Sequence, residues 1–66
     1  MKYEIVRLNG QRAIANSLRE AKKIARSICA FPSKRLYWQT WCDDIIIGDY
    51  VKDYKGQSPI VMIRLA

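Results

Sequence analysis

The sequence predicts an α+β fold, in which one helix packs on one face of an antiparallel sheet of four to five strands in the order β(β)αβββ. Segments in which apolar and polar residues alternate, as strands require, flank a single segment with helical periodicity. Turn-forming residues separate these segments. The chain has 66 residues, and a chain of this length builds one small core. We therefore expect a single domain, residues 1–66.

The first strand is predicted from the stretch YEIVRLNGQRAIAN, residues 3–16. Asn9-Gly10 is a preferred pair for a type I′ turn, in which both central residues have positive φ. Apolar residues flank this pair on both sides, so residues 2–8 are expected to pair with residues 11–15 as a hairpin. The second arm is short and contains alanine, which leaves an extended lead-in to the helix as the alternative.

The helix is predicted from NSLREAKKIARSICA, residues 16–30. Ser17 followed three residues later by Glu20 forms a capping box, which satisfies backbone amides at a helix start. Apolar residues then recur at spacings of three and four and form one stripe. The helix is expected to end near Ala30, because Pro32 disfavours helical backbone at the residue before it.

Three strands are predicted after the helix, in residues 35–42, 44–51 and 59–66, with a charged loop over 51–58. The first, RLYWQTWC, is rich in aromatic residues and alternates in polarity, as strands do. The last contains the run Ile60-Val61-Met62-Ile63, which is apolar on both faces. Such a run indicates a central strand, or a strand with one face covered by a partner subunit.

The net charge of +6 is unevenly distributed along the chain. Residues 1–42 contain nine Lys and Arg against two Glu, whereas residues 43–66 contain three Lys and Arg against four Asp. A positive field of this kind attracts nucleic acid, an acidic protein surface or anionic lipid without distinguishing them.

The charge asymmetry favours a non-catalytic module that binds nucleic acid, either RNA or DNA. Cations on the helix and in the loop after it would hold phosphates, and aromatic residues of the next strand would stack on bases. The candidate residues are Arg12, Arg19, Lys22, Lys23, Arg26, Lys34, Arg35, Tyr37 and Trp41.

Alternation places Tyr37 and Trp41 on one face of their strand and Leu36 and Trp38 on the other, and it does not decide which face the helix covers. If the helix covers the Leu36 side, Tyr37 and Trp41 are exposed for stacking. A purely solvated helix face and aromatics that pack within the fold explain the same residues.

The alternative function is a small protein-interaction or inhibitor module, of a kind that mobile elements often encode. It would form a homodimer through the C-terminal strand or the uncovered sheet face, or it would block an acidic surface of a partner. The apolar run at residues 60–63 motivates this hypothesis, since aromatic and apolar patches are typical of protein interfaces. A membrane partner is not expected, because the apolar stripe of the helix is needed for the core.

The composition disfavours catalysis, so we expect the protein not to be an enzyme. The chain has no histidine and only two cysteines, so it lacks the usual base at neutral pH and the ligands of a zinc site. Neither a glycine-rich phosphate loop nor a calcium-loop spacing of Asp residues is present, so neither a cofactor nor a metal is expected. A charged beginning and few cysteines indicate a cytoplasmic protein.

Overall fold

The structure is a computed structural model that describes residues 1–29, 34–42, 44–56 and 58–66, with Cys42 described by its backbone alone. Its elements are β1 (Tyr3–Arg7), β2 (Arg12–Ala15), α1 (Leu18–Ile28), β3 (Tyr37–Cys42), β4 (Ile45–Asp49) and β5 (Val61–Leu65). The strands form one five-stranded sheet in the order β2-β1-β5-β4-β3, and every neighbouring pair is antiparallel. The predicted α+β fold and element order are confirmed.

The predicted β1–β2 hairpin is confirmed, but its turn differs from the predicted type I′. The amide of Gly10 donates to the carbonyl of Arg7 at 3.0 Å, and the amide of Arg7 donates to the carbonyl of Gln11 at 2.9 Å. Gly10 has a φ of 89°, whereas Asn9 does not have positive φ. The connection is therefore a three-residue loop closed by a left-handed glycine. Asn9 instead accepts a hydrogen bond on its side chain from the amide of Gln11, at 3.0 Å.

Helix α1 begins where the capping signal predicts and ends slightly before the predicted residue. Ser17 is the N-cap, and its Oγ accepts a hydrogen bond from the amide of Glu20 at 3.1 Å. The backbone becomes extended at Cys29, with φ −74° and ψ 151°. The predicted end at Ala30 and the Pro32 signal lie outside the described residues.

Strand β5 is the middle strand of the sheet, as its apolar run predicts. It pairs with β1 on one side, from Tyr3 opposite Leu65, and with β4 on the other, from Ile45 opposite Arg64. Val61 and Ile63 are buried beneath the helix. Because both edges of β5 are already hydrogen-bonded within the chain, a second copy cannot extend the sheet from this strand.

Helix α1 covers only part of one sheet face, which we call the helix face. It packs on β1, β2 and β5, and within the described chain its backbone does not approach β3 or β4. Its two buried alanines, Ala21 and Ala25, allow close contact with the sheet core around Ile5 and Ile63. No second helix of the described residues covers the part of the helix face formed by β3 and β4.

The opposite face, which we call the far face, is partly covered by the loop between β4 and β5. Gln39 pairs with Ile47 across β3 and β4, and its side-chain amide donates to the carbonyl of Tyr54 in this loop at 2.6 Å. Ile47 is only 1 % exposed. The chain therefore covers part of the face that one helix was expected to leave open.

Candidate functional site

The cations of α1 lie together on one flank of the helix. At 100° per residue, Arg19, Lys22, Lys23 and Arg26 fall within an arc of about 100°. Contact between Lys22 and Trp38 shows which way this flank faces, because Lys22 Nζ lies over the Trp38 ring, 5.7 Å from its centroid. The flank therefore faces β3 and the part of the helix face that α1 does not cover.

This flank and β3 enclose an open groove of about 520 Å³, which we call the basic groove. Its lining residues are Arg19, Lys22, Lys23, Arg26, Ser27 and Trp38. Among the described residues, no acidic residue lines the groove, and none of its four cations lies within ion-pair distance of a carboxylate. The described part of the chain therefore leaves the positive charge of the groove uncompensated, and a cluster of uncompensated cations attracts a polyanion.

Trp38 is the aromatic residue of the basic groove, and it is not among the nine residues predicted from the sequence. Its ring packs on the cross-strand residue Gly48: a Cβ atom at position 48 would lie 2.7 Å from Trp38 Cζ3. Lys22 lies over the ring, so Trp38 acts as a support for this cation. The closeness of the helix cations to this ring depends on the sheet order, which the sequence did not show.

The structure answers which face of the aromatic strand the helix covers. Leu36 is buried in the core and Trp38 packs against it, so this side is the helix side. Tyr37 lies on the far face, where the Arg35 guanidinium carbon is 5.3 Å from its ring centroid. Trp41 is 43 % exposed and lies where the pairing register with β4 shifts. Arg35 and Tyr37 therefore do not share a surface with the helix cations.

Arg12 also lies away from the basic groove and does not extend it. Its Nη1 is 3.4 Å from Glu4 Oε2 on the far face, and Arg64 Nη2 lies 2.7 Å from the other oxygen of the same carboxylate. The hydrogen bond from Arg64, together with the charges of Arg64 and Arg12, lowers the pKa of Glu4. Arg12 thus belongs to a charge cluster of its own.

Lys34 is close to the helix-side core, although it does not line the basic groove. Its Nζ lies 5.6 Å from the ring centroid of Tyr50, and Tyr50 packs against the core cluster. The structure therefore brings together four of the nine predicted residues, the helix cations, and distributes the others around the molecule.

A smaller concavity, which we call the apolar pocket, lies beside the basic groove toward the start of α1. Its volume is about 230 Å³, and it is lined by Met1, Tyr3, Leu18, Thr40, Asp44, Ile46 and Leu65. It shares the two walls of the basic groove, because Leu18 precedes Arg19 on the helix and Thr40 lies two residues beyond Trp38 on β3. The two concavities therefore lie along one flank of α1.

The described cysteine side chain has the properties of a packed thiol. Cys29 is buried, and its Sγ donates to the carbonyl of Ala25 at 2.9 Å. Burial raises the pKa of the Cys29 thiol, and the charge of Arg7 and a hydrogen bond with Tyr50 oppose this rise only in part. A thiol with a raised pKa is a poor nucleophile at neutral pH.

Within the described residues, no group of His, Cys, Asp and Glu side chains has the geometry to hold a metal ion. Helix α1, the helix that the described residues contain, is too short and too polar to cross a membrane. Comparison of the chain with protein-family models, with curated proteins and with solved structures finds no match.

Proposed function

We propose that this protein is a non-catalytic nucleic-acid-binding module that holds phosphates in the basic groove. One observation carries the proposal: four cations line one flank of α1, and the structure describes neither an ion-pair partner for them nor an acidic residue in the lining of their groove. A solvated surface helix usually carries charges of both signs on its exposed face. The segregation of one sign to the flank facing β3 favours a polyanionic ligand.

The spacing of the cations suits successive phosphates of a single backbone. Arg19 and Arg26 are seven residues apart, which is about 10 Å along a helix axis. Lysine and arginine contacts to phosphate neutralise the backbone and release counterions, without reading sequence. Lys22, placed over Trp38, reaches the groove with less freedom than an isolated lysine side chain, which lowers the entropy lost on binding.

The salt dependence of nucleic-acid binding gives the expected loss of affinity when groove cations are removed. Four phosphate contacts correspond to a slope of log K against log salt of about −3.6 for duplex DNA and about −2.8 for a single strand. Removing three of the contacts leaves a slope of about −1 and weakens binding about a hundredfold or more at 0.1 M salt.

The test compares two triple variants with the same change in net charge. The groove variant replaces Lys22, Lys23 and Arg26 with glutamine. The control variant replaces three exposed lysines that do not line the groove, Lys2, Lys52 and Lys55, with glutamine. Fluorescence anisotropy with labelled single-stranded RNA, single-stranded DNA and duplex DNA should show a large loss for the groove variant and a change below about threefold for the control. Equal losses in both variants would mean that the charge acts generically, and the proposal would fail.

A protein with an acidic surface is the second candidate ligand, and the apolar pocket is the observation that favours it. An acidic partner could place an apolar side chain in this pocket while its carboxylates meet the cations of the groove. In that case the wild-type protein would bind none of the nucleic acids at 0.15 M salt.

For either ligand we propose a cytoplasmic location. The buried thiol of Cys29, which forms no disulfide, supports this proposal, because disulfides are rare in the cytoplasm.

A further inference from the structure

The apolar pocket differs in chemistry from the basic groove beside it. Its lining is mainly aromatic and aliphatic, and Thr40 and Asp44 are polar residues within it; the other lining residues are Met1, Tyr3, Leu18, Ile46 and Leu65. Its volume of about 230 Å³ lies below the range of about 300–1,000 Å³ that is usual for sites binding drug-sized ligands. A pocket of this size and composition suits one small planar ring that has hydrogen-bonding groups at its edge.

We propose that the apolar pocket receives one unpaired base of the strand whose phosphates occupy the basic groove, and that the protein therefore selects single-stranded nucleic acid. This inference rests on the proposed function. A base in a duplex is stacked and paired, so it cannot enter the pocket unless the duplex is opened and the base is extruded, which is energetically unfavourable. A single strand exposes its bases without that cost.

The two concavities are close enough for one nucleotide to occupy both. Thr40 and Trp38 lie on the same side of β3, about 7 Å apart along the strand. On the opposite wall, Leu18 of the pocket immediately precedes Arg19 of the groove. A nucleotide with its phosphate on Arg19 or Lys22 can therefore place its base between Leu18 and Thr40. The uncompensated charge of the groove is what identifies the occupant, because it selects a ligand that joins phosphates to flat, partly apolar rings.

Asp44 gives the pocket a preference among bases. A carboxylate only accepts hydrogen bonds, and it pairs with an exocyclic amine such as N4 of cytosine. Thymine and uracil present a carbonyl at the corresponding position, which Asp44 would repel. The pocket should therefore favour cytosine or adenine over thymine and uracil.

The test uses three labelled oligomers of equal charge, about twelve nucleotides long so that they span a typical single-strand site. They are oligodeoxycytidine, oligodeoxythymidine and an abasic oligomer of the same backbone. Oligodeoxycytidine should bind about tenfold more tightly than the abasic oligomer, because only the former has a base that can stack in the pocket. It should bind about fivefold more tightly than oligodeoxythymidine, because of the pairing with Asp44.

Two variants at exposed positions of the apolar pocket, Asp44→Asn and Leu65→Ser, test whether the base binds there. Asp44→Asn should reduce the ratio of the affinities for oligodeoxycytidine and oligodeoxythymidine to about one, because an amide both donates and accepts hydrogen bonds. Leu65→Ser should reduce the preference for cytosine over the abasic oligomer, while Val51→Ser, at an exposed apolar residue that does not line the pocket, should leave it unchanged. Circular dichroism would show that each variant keeps its fold.

The outcomes separate this inference from the proposed function. If the three oligomers bind equally and with a steep salt dependence, the phosphate site stands and the base pocket is refuted. If cytosine is preferred but neither Asp44→Asn nor Leu65→Ser alters the preference, the base binds elsewhere and the inference is also refuted. If none of the oligomers binds, the proposed function itself fails.

Discussion

Replacing Gly48 with alanine should both destabilise the fold and displace Trp38, which lines the basic groove. Gly48 lies opposite Trp38 on β3 and opposite Val61 on β5. An added Cβ atom would lie 2.7 Å from Trp38 Cζ3 and 2.9 Å from Val61 Cγ1. Carbon atoms pack at about 3.5–4.0 Å, so each neighbour would have to move by roughly 1 Å.

The expected loss in the free energy of unfolding depends on how far Trp38 and Val61 can move. Val61 is buried between α1 and the sheet, and Trp38 packs against the core, so neither can move into solvent without losing contacts. Overpacking of a dense core typically costs about 1–3 kcal/mol. For a domain of this size, a loss of 2 kcal/mol corresponds to a decrease in Tm of about 8–16 °C, and it is a large part of a total stability of roughly 3–10 kcal/mol.

Urea unfolding followed by circular dichroism and tryptophan fluorescence measures this cost. Gly56→Ala is the comparison variant, because the added Cβ at position 56 would meet the hydroxyl end of Tyr54, whose displacement breaks the hydrogen bond from the Ser58 amide without disturbing the core. Gly48→Ala should cost less in a Trp38→Leu background, since the smaller side chain removes the main collision. The reasoning would be refuted if Gly48→Ala changed the free energy of unfolding by less than about 0.5 kcal/mol and left the fluorescence spectrum unaltered.

Three further outcomes are expected. Ser17→Ala should destabilise the protein by about 1 kcal/mol, measured by urea unfolding, because the amide of Glu20 loses its hydrogen-bond acceptor; an unchanged midpoint would contradict the capping role. Glu4 has a pKa lowered first by the hydrogen bond from Arg64, so its contribution to stability is present above the unfolded-state pKa, near 4.3, and is lost as pH falls through the lower folded-state pKa. The stability difference between wild type and Glu4→Gln should thus shrink on acidification, and a difference that stays constant down to about pH 2 would exclude the linkage. In a Cys42→Ser background, Cys29 should react with a thiol reagent much more slowly in the folded protein than in urea, because burial raises its pKa and restricts access; equal rates would show that the Cys29 thiol is accessible.

The position of the helix over only three strands is the feature that creates the site. A five-stranded sheet is wide enough for two helices on one face, and α1 contacts β1, β2 and β5. Its cationic flank therefore borders a part of the sheet that α1 does not cover, with Lys22 over Trp38 and the other three cations exposed beside it. The same four cations on a helix centred over the sheet would form a convex surface without a groove.

Local signals in the sequence determined most of the secondary structure. The Ser17 cap and the apolar stripe of residues 18–29 predict α1, because helix starts and amphipathic periodicity depend on residues close in sequence. Alternation predicts β3, and the apolar run at residues 60–63 predicts the central place of β5. The turn at Asn9-Gly10 was located correctly but assigned the wrong type, because loops of two and of three residues both favour a glycine with positive φ.

The candidate site depended on contacts between residues distant in sequence, which no local pattern reports. Alternation divides the aromatic residues of β3 into two sets but does not say which set faces the helix, and this left Trp38 out of the predicted site. Likewise, the charge count joined Arg12 and Arg35 to the helix cations, although the sheet places Arg12 beside Glu4 and Arg35 over Tyr37 on the far face.

The sequence by itself thus determined the fold class, the helix with its row of cations and the strong positive charge. Only the tertiary structure decided that these cations meet Trp38 and that an apolar pocket continues their groove. The physical reason is that strand order and helix placement are set by the packing of the whole core. Residues such as Lys22 and Trp38 therefore become neighbours only once the sheet has formed.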